Sequence, residues 1–353
     1  MSRKYPSTPA RLPRAAALLL LLALLPALSG CGNSGNAAAS GSGAGAASKK
    51  ALVKLNIADT NTNPVFKVAK AKGFFKNNGI DATIVNFGTP AEGVNALFIK
   101  QVDLAYGADF PLLNAVSKGE YSIIASAGQA TDRAASVWKL YVRNDIQSAA
   151  DLKGKKLSFM RGTFLPYLWD VYFKENGLNV KDAELVGQGA FDEAFIALKQ
   201  GDVDAAWFTG SALIDKLAAL DSVHELGDMS KTSVRLGTGL VAGNELIEKQ
   251  PEAVAGFLKA VDEAAAYSQA HPDETADLMY REVKQPKEAT LKDLPNNPWN
   301  IGFTQAAYDS LENQKEYMVQ SKIIRQDFDL KTKLGLEPLK QALPESVTYG
   351  SGN

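Results

Sequence analysis

The chain has 353 residues, with 38 Lys and Arg against 39 Asp and Glu, two His and one Cys. Its 46% hydrophobic and 22% charged residues are those of a globular protein, and the length suits two packed lobes better than one core. No basic excess is present for non-specific nucleic-acid binding. One cysteine rules out an internal disulfide framework and Cys-rich metal sites, and His224 and His271 leave little for a His-based metal site or a triad.

Residues 1–14 carry Arg3, Lys4, Arg11 and Arg14 and no acid, so the remaining body is mildly acidic. Ala15 to Leu28 is an Ala/Leu run broken only by Pro26, shorter than the roughly 20 residues that span a bilayer. Basic region, apolar run and small residues read as a secretory signal over 1–30. Leu28-Ser29-Gly30-Cys31 resembles the bacterial lipoprotein lipobox, which implies lipidation of Cys31 as the first residue of the mature chain. The other reading is an ordinary secretory signal with a leftover cysteine. Gly32 to Ser48 is Gly, Ala, Ser and Asn throughout; it cannot bury a core, so 31–50 reads as a flexible tether. The expected location is the cell envelope, extracytoplasmic and lipid-anchored to the membrane.

From Leu52 strand and helix patterns alternate. Leu52–Ala58 reads as a strand, Pro64 opens a helix to about Asn77, and Gly79 stops it. Ala82–Phe87 and Val102–Gly107 follow as strands, with Gly88-Thr89-Pro90 and Asp109-Phe110-Pro111 starting the helices after them. Such alternation predicts a mostly parallel sheet with helices on both faces, and ligands bind beyond the carboxyl ends of its strands. A second unit begins near Arg143. Its strands are predicted at Leu157–Met160, Ala183–Val186 and Ala205–Phe208, with helices at about Phe164–Asn176 and Phe191–Lys199. Lys100-Gln-Val-Asp-Leu-Ala-Tyr106 is echoed by Lys199-Gln-Gly-Asp-Val-Asp-Ala-Ala-Trp207. Two similar lobes with facing rims form a cleft. Beyond Arg235, Pro251–Ala270, Phe303–Met318 and Lys333–Leu343 read as helices, with Asn296-Asn-Pro-Trp299 as a loop; the sequence assigns these helices to neither lobe.

No phosphate-binding loop, zinc-protease motif, nucleophile elbow or dinucleotide fingerprint follows a strand. His224 and His271 read as surface or capping residues. No metal, cofactor or covalent chemistry is expected, so the chain reads as a non-enzyme.

Lys72-Gly-Phe-Phe75, Gly79-Ile-Asp81, Gln101-Val-Asp103, Ser148-Ala-Ala-Asp151-Leu-Lys-Gly154-Lys-Lys and Gly201-Asp-Val-Asp204-Ala, in that order, resemble the nitrate/sulfonate/taurine-type substrate-binding proteins of ABC importers. That family includes the pyrimidine-binding relatives of thiamine-precursor synthesis. The resemblance runs from Leu52 to about Leu343. It implies an α/β, two-lobed periplasmic-binding-protein type II fold, each lobe a mixed, mostly parallel sheet flanked by helices, joined by a two-strand hinge near Trp138–Arg143 and Thr232–Gly239. One lobe is then 51–140 plus 238–353, C-terminal helices included, and the other 141–237. Hinge closure traps ligand, and the closed monomer docks on a permease driven by ATPase subunits.

By motif, the resemblance places ligand contacts at Asn61, Thr62 and Asn63, at Gly88 and Thr89, at Asp109 and Phe110, and at Gln129. In the second lobe it places them at Arg161, Gly162 and Thr163 and at Trp207 and Thr209. Helix N-termini facing a cleft favour an oxyanion. Arg161 either clamps a sulfonate or carboxylate or pairs with a lobe carboxylate. Asp109 either accepts from a ligand amine or is only a helix cap. Tyr106, Phe110 and Trp207 wall the apolar part, Trp207 being either pocket or core. The leading expectation is capture of a small organic anion or zwitterion, sulfonate- or taurine-like, for an ABC importer. The alternatives are a pyrimidine or other heteroaromatic binder and a sensory receptor of the same fold.

Overall fold

The computed structural model describes residues 51–128 and 130–350. The signal, the tether, Cys31 and Gln129 thus lie outside the described residues. Ten strands follow in chain order: β1 Val53–Thr60, β2 Ile80–Phe87, β3 Leu104–Ala108, β4 Tyr121–Gly128, β5 Lys139–Arg143, β6 Lys156–Met160, β7 Glu184–Gln188, β8 Ala205–Phe208, β9 Val223–Asp228 and β10 Thr238–Gly243. They form two five-stranded sheets, β2-β1-β3-β10-β4 and β7-β6-β8-β5-β9. Each sheet with its helices is one lobe of an α/β fold.

The two sheets have the same topology. β2, β1 and β3 run parallel, as do β7, β6 and β8. β10 is inserted antiparallel between β3 and β4, and β5 antiparallel between β8 and β9. Each antiparallel strand reaches its sheet from the other lobe, through 130–138 in one direction and 229–237 in the other. Lys139 and Leu140 already pair with β8 and β9, so the chain has passed into the second lobe by the end of the short helix Asp132–Ser136. β3 and β8, flanked on both edges, are almost wholly buried, as interior strands covered on both faces are.

The Val-Asp echo has a physical basis. Asp103 N–H donates to Asn56 O at 2.8 Å, and its carboxylate accepts from Asn56 N–H at 2.7 Å. Asp204 makes the same pair of bonds to Lys156, both at 2.8 Å, while Val102 and Val203 are buried. A second echo escapes a reading based on strand ends. Glu92 accepts from Gly88 N–H at 2.9 Å and Glu193 from Gly189 N–H at 2.6 Å. In both lobes a glutamate in the first helical turn therefore fixes the glycine that follows the strand before it, giving that backbone N–H an acceptor.

The helix expected from Pro64 to Asn77 is two helices, Val65–Ala71 and Phe74–Asn77. Gly73 at φ +78 breaks it, a left-handed conformation that glycine adopts without a Cβ clash. Pro272 sits at the first position of helix Pro272–Val283, where its missing N–H costs nothing. Helix Pro251–Ala270 packs on the first lobe, with Phe257 5.8 Å from Phe66 and 6.0 Å from Phe75. Its Gly256 has Asn78 O where a Cβ would stand. The C-terminal stretch also reaches the second lobe. Asp293, ending helix Lys287–Asp293, accepts from Ser211 N–H at 2.9 Å and Ser211 Oγ at 2.5 Å, and Lys292 pairs with Asp215 at 2.8 Å.

The paired aspartates give a stability prediction. Asp103→Ala and Asp204→Ala each leave a backbone N–H of the neighbouring strand without its acceptor, that of Asn56 within β1 and that of Lys156 at the start of β6, so each is expected to cost about 1 kcal/mol. Lying in different lobes, the two losses are expected to add in the double variant, as measured by urea unfolding.

Candidate functional site

A cavity of about 360 Å³ lies between the lobes, and the carboxyl ends of β1, β3 and β8 open towards it. Its back is formed by the two crossovers, with Thr131, Arg133 and Trp138 from one and Met229, Leu236 and Gly237 from the other. The first lobe contributes Thr62, Asn63 and Tyr106, and the second Phe164, Phe191 and Thr209. The loop after helix Lys287–Asp293 supplies Asn296, Asn297, Trp299 and Asn300.

A buried polar framework holds the first-lobe loop. Lys67 Nζ donates to Asp59 at 2.7 Å, to Thr60 O at 2.7 Å and to Asn63 O at 3.1 Å. All three ammonium protons are thereby used, as a buried cation requires. Asn63 Nδ2 donates to Asp59 at 2.8 Å and its Oδ1 accepts from Val65 N–H. The Tyr106 hydroxyl lies 2.6 Å from Thr60 Oγ1, which lies 3.3 Å from Thr62 Oγ1. Burial pushes the Tyr106 phenol well above its ordinary range, so it stays protonated and hydrogen-bonded.

Aromatic faces line the cavity from both lobes. Tyr106 packs 5.3 Å from Trp299, and Trp299 5.3 Å from Phe66. Across the cavity Trp138 meets Phe164 edge-on at 4.8 Å and Phe191 at 5.8 Å. Among the described lining residues Arg133 is the cation and Asp293 the carboxylate. The other polar groups are neutral: five amides (Asn63, Gln285, Asn296, Asn297, Asn300) and several threonines. Such a surface suits a flat ring whose edge carries donors and acceptors.

Of the residues that motif matching puts at the ligand, Thr62, Asn63 and Thr209 line the cavity. Asn61 is exposed beside it. Gly88, Thr89 and Gly162 lie outside the cavity where the lobes touch: a Cβ on Gly88 would meet Ala190, and one on Gly162 would meet Ala91. Thr89 is a helix cap that accepts from Glu92 N–H, and Thr163 donates to Met160 O at 2.7 Å. Phe110 is core. Trp207 is fully buried, edge-on to Trp169 at 5.7 Å and Tyr172 at 5.6 Å. It is absent from the cavity lining and belongs to the second-lobe core, packed on helix Leu165–Glu175. Arg161 is exposed and its side chain runs along Gly187 of β7, away from the lining. Sequence reasoning missed Arg133, Trp138, Phe164, Phe191 and Trp299; the Asn-Asn-Pro-Trp-Asn run at 296–300 was the available signal for the last.

Asp109 does not line the cavity, and the residue at the helix N-cap is Ala108. Its carboxylate, 3% exposed, accepts from Gly237 N–H at 3.0 Å and Ser310 Oγ at 2.5 Å. It therefore ties the return crossover and helix Gln305–Gln320 to the end of β3. Burial raises the carboxyl to about 6, against the lowering effect of Ser310 and Gly237.

A family model described as NMT1/THI5 like matches residues 60–275. A binding protein of Brucella abortus is 26% identical over 236 residues, 65% of this chain and 71% of that one. A thiamine biosynthesis protein of Haemophilus influenzae is 26% identical over 279 residues, 75% of this chain and 84% of that one. Among solved structures, the periplasmic aliphatic sulphonate binding protein SsuA of Escherichia coli superposes with a TM-score of 0.68 at 19% identity, covering 80% of this chain and 91% of that one.

The Asp109 lock predicts a pH dependence. Its folded pKa, about 6, lies above the ordinary carboxyl value of about 3.9, so the folded state binds this proton more tightly than the unfolded chain. The resulting stabilisation is fully present below about pH 4 and is lost as pH rises through about 6. Asp109→Asn, a neutral mimic of the protonated form, is expected to remove this loss. The melting-temperature difference between wild type and variant should therefore fall between pH 4 and 7, measured by thermal denaturation across that range.

Proposed function

The chain belongs to the NMT1/THI5-like family, and on that premise we propose that it is the extracytoplasmic substrate-binding subunit of an ABC importer, taking a small flat nitrogen heterocycle of pyrimidine type between its lobes. The observation that carries this reading is the lining of the cavity: aromatic faces from both lobes, with neutral amides and hydroxyls around them. A ring held between such faces buries both of its own faces, while the amides meet its nitrogen edge. A Haemophilus influenzae relative named for thiamine biosynthesis is consistent with a heterocyclic ligand.

The lobes hinge at 130–138 and 229–237, where the chain crosses twice, and closure around ligand creates the form that a permease and its ATPase subunits accept. Cys31 carries the lipid that holds the receptor at the membrane. A sulfonate- or taurine-like ligand is the second reading, favoured by the Arg133 guanidinium in the cavity wall.

A ligand panel followed by thermal denaturation separates these readings. A ligand that binds only the folded state raises the melting temperature by mass action. Aminopyrimidines are expected to give the large shifts, taurine and short alkanesulfonates small ones, and each compound should be recovered unchanged. A larger shift with taurine would reverse the order of the two readings, and conversion of a bound compound would make the protein an enzyme.

A further inference from the structure

Arg133 has a setting that the family resemblance does not describe. It lies on helix Asp132–Ser136 of the first crossover and lines the cavity. Its Nε donates to Asn296 Oδ1 at 3.2 Å, and Asn296 Nδ2 is in turn anchored on Lys292 O at 2.8 Å. The C-terminal loop therefore holds the guanidinium by its inner nitrogen. Among the described residues no carboxylate forms an ion pair with it, and its two terminal nitrogens have no hydrogen-bond partner.

The neighbouring charges are already engaged. Asp132 accepts from Arg235 Nε at 2.7 Å and lies 2.6 Å from Arg235 Nη2. Lys292 pairs with Asp215, and Asp293 takes both Ser211 donors. The cavity wall thus carries one cation, itself exposed to solvent, whose terminal amino groups are open beside aromatic rings and neutral amides. Two parallel N–H groups in that geometry match the two oxygens of a carboxylate or sulfonate, a bidentate fit that an ammonium cannot reproduce.

We propose that Arg133 is a specificity-determining residue that selects ring compounds bearing an anionic substituent, carboxylate or sulfonate, directed to the hinge-side wall of the cavity. This deepens the ring-capture reading and rests on it. It also reconciles the two ligand expectations: the rings account for the aromatic walls and the substituent for the arginine. Arg161, the cation that motif matching selects, has no part in it.

The test compares pyrimidine-5-carboxylate with pyrimidine-5-carboxamide, and the corresponding ring sulfonate, by isothermal titration calorimetry. The full chain is used as wild type, Arg133→Gln, Arg133→Lys and Arg161→Gln. Wild type is expected to bind the acid and the sulfonate about tenfold more tightly than the amide, the scale of one charge-assisted pair at a partly exposed site. Arg133→Gln should bring the acid down to the affinity of the amide, Arg133→Lys should retain only part of the preference, and Arg161→Gln should retain all of it. Equal binding of acid and amide by wild type, or a preference that survives Arg133→Gln, overturns the assignment of Arg133 alone. Binding of none of the ring compounds overturns the ring-capture reading and this proposal with it.

Discussion

Strands β5 and β10 are hydrogen-bonded along both edges, and each lies in the sheet of the lobe opposite to the strands that precede it in the chain. A central strand cannot be withdrawn without leaving two rows of backbone donors and acceptors unpaired. The chain must therefore cross between the lobes twice, and both crossings stay side by side. The cavity exists because these two segments form its back wall, and its composition follows from which residues they carry. Asp109 strengthens the arrangement from the first lobe by bonding Gly237 on the return crossing. The interlobe bonds of Asp293 and Lys292 close the structure from the C-terminal side.

Much of the fold was legible because it is local. Prolines at helix starts, glycines at helix ends and alternating apolar residues mark the elements, and the Val-Asp echo marks two lobes of one topology. The echo survives because each aspartate does the same job, pairing with one backbone residue of the neighbouring parallel strand. What was not legible locally was the continuity of the first helix, where Gly73 adopts a left-handed turn that other residues disfavour.

The site was legible only where ligand-facing residues follow a strand directly, as Thr62, Asn63 and Thr209 do. Most of the aromatic wall comes from segments distant in sequence, a crossover, two helix starts and a C-terminal loop, which meet only when the tertiary structure is complete. Arg161 and Arg133 show the limit plainly. Both are arginines near the start of a helix, yet one runs along β7 and the other faces the cavity, and no spacing rule distinguishes the two directions. Trp207 and Tyr106 occupy matching positions in the echo, but only the tyrosine, whose hydroxyl meets Thr60, lines the cavity. The tryptophan fills the second-lobe core instead.

The central claim is that two aromatic walls and a ring of neutral amides enclose a flat heterocycle. Its most direct test is the mass of whatever the protein retains when purified gently from its host and released by unfolding. A nitrogen heterocycle at close to one per chain is the predicted result, and an aliphatic sulfonate with no ring would contradict it.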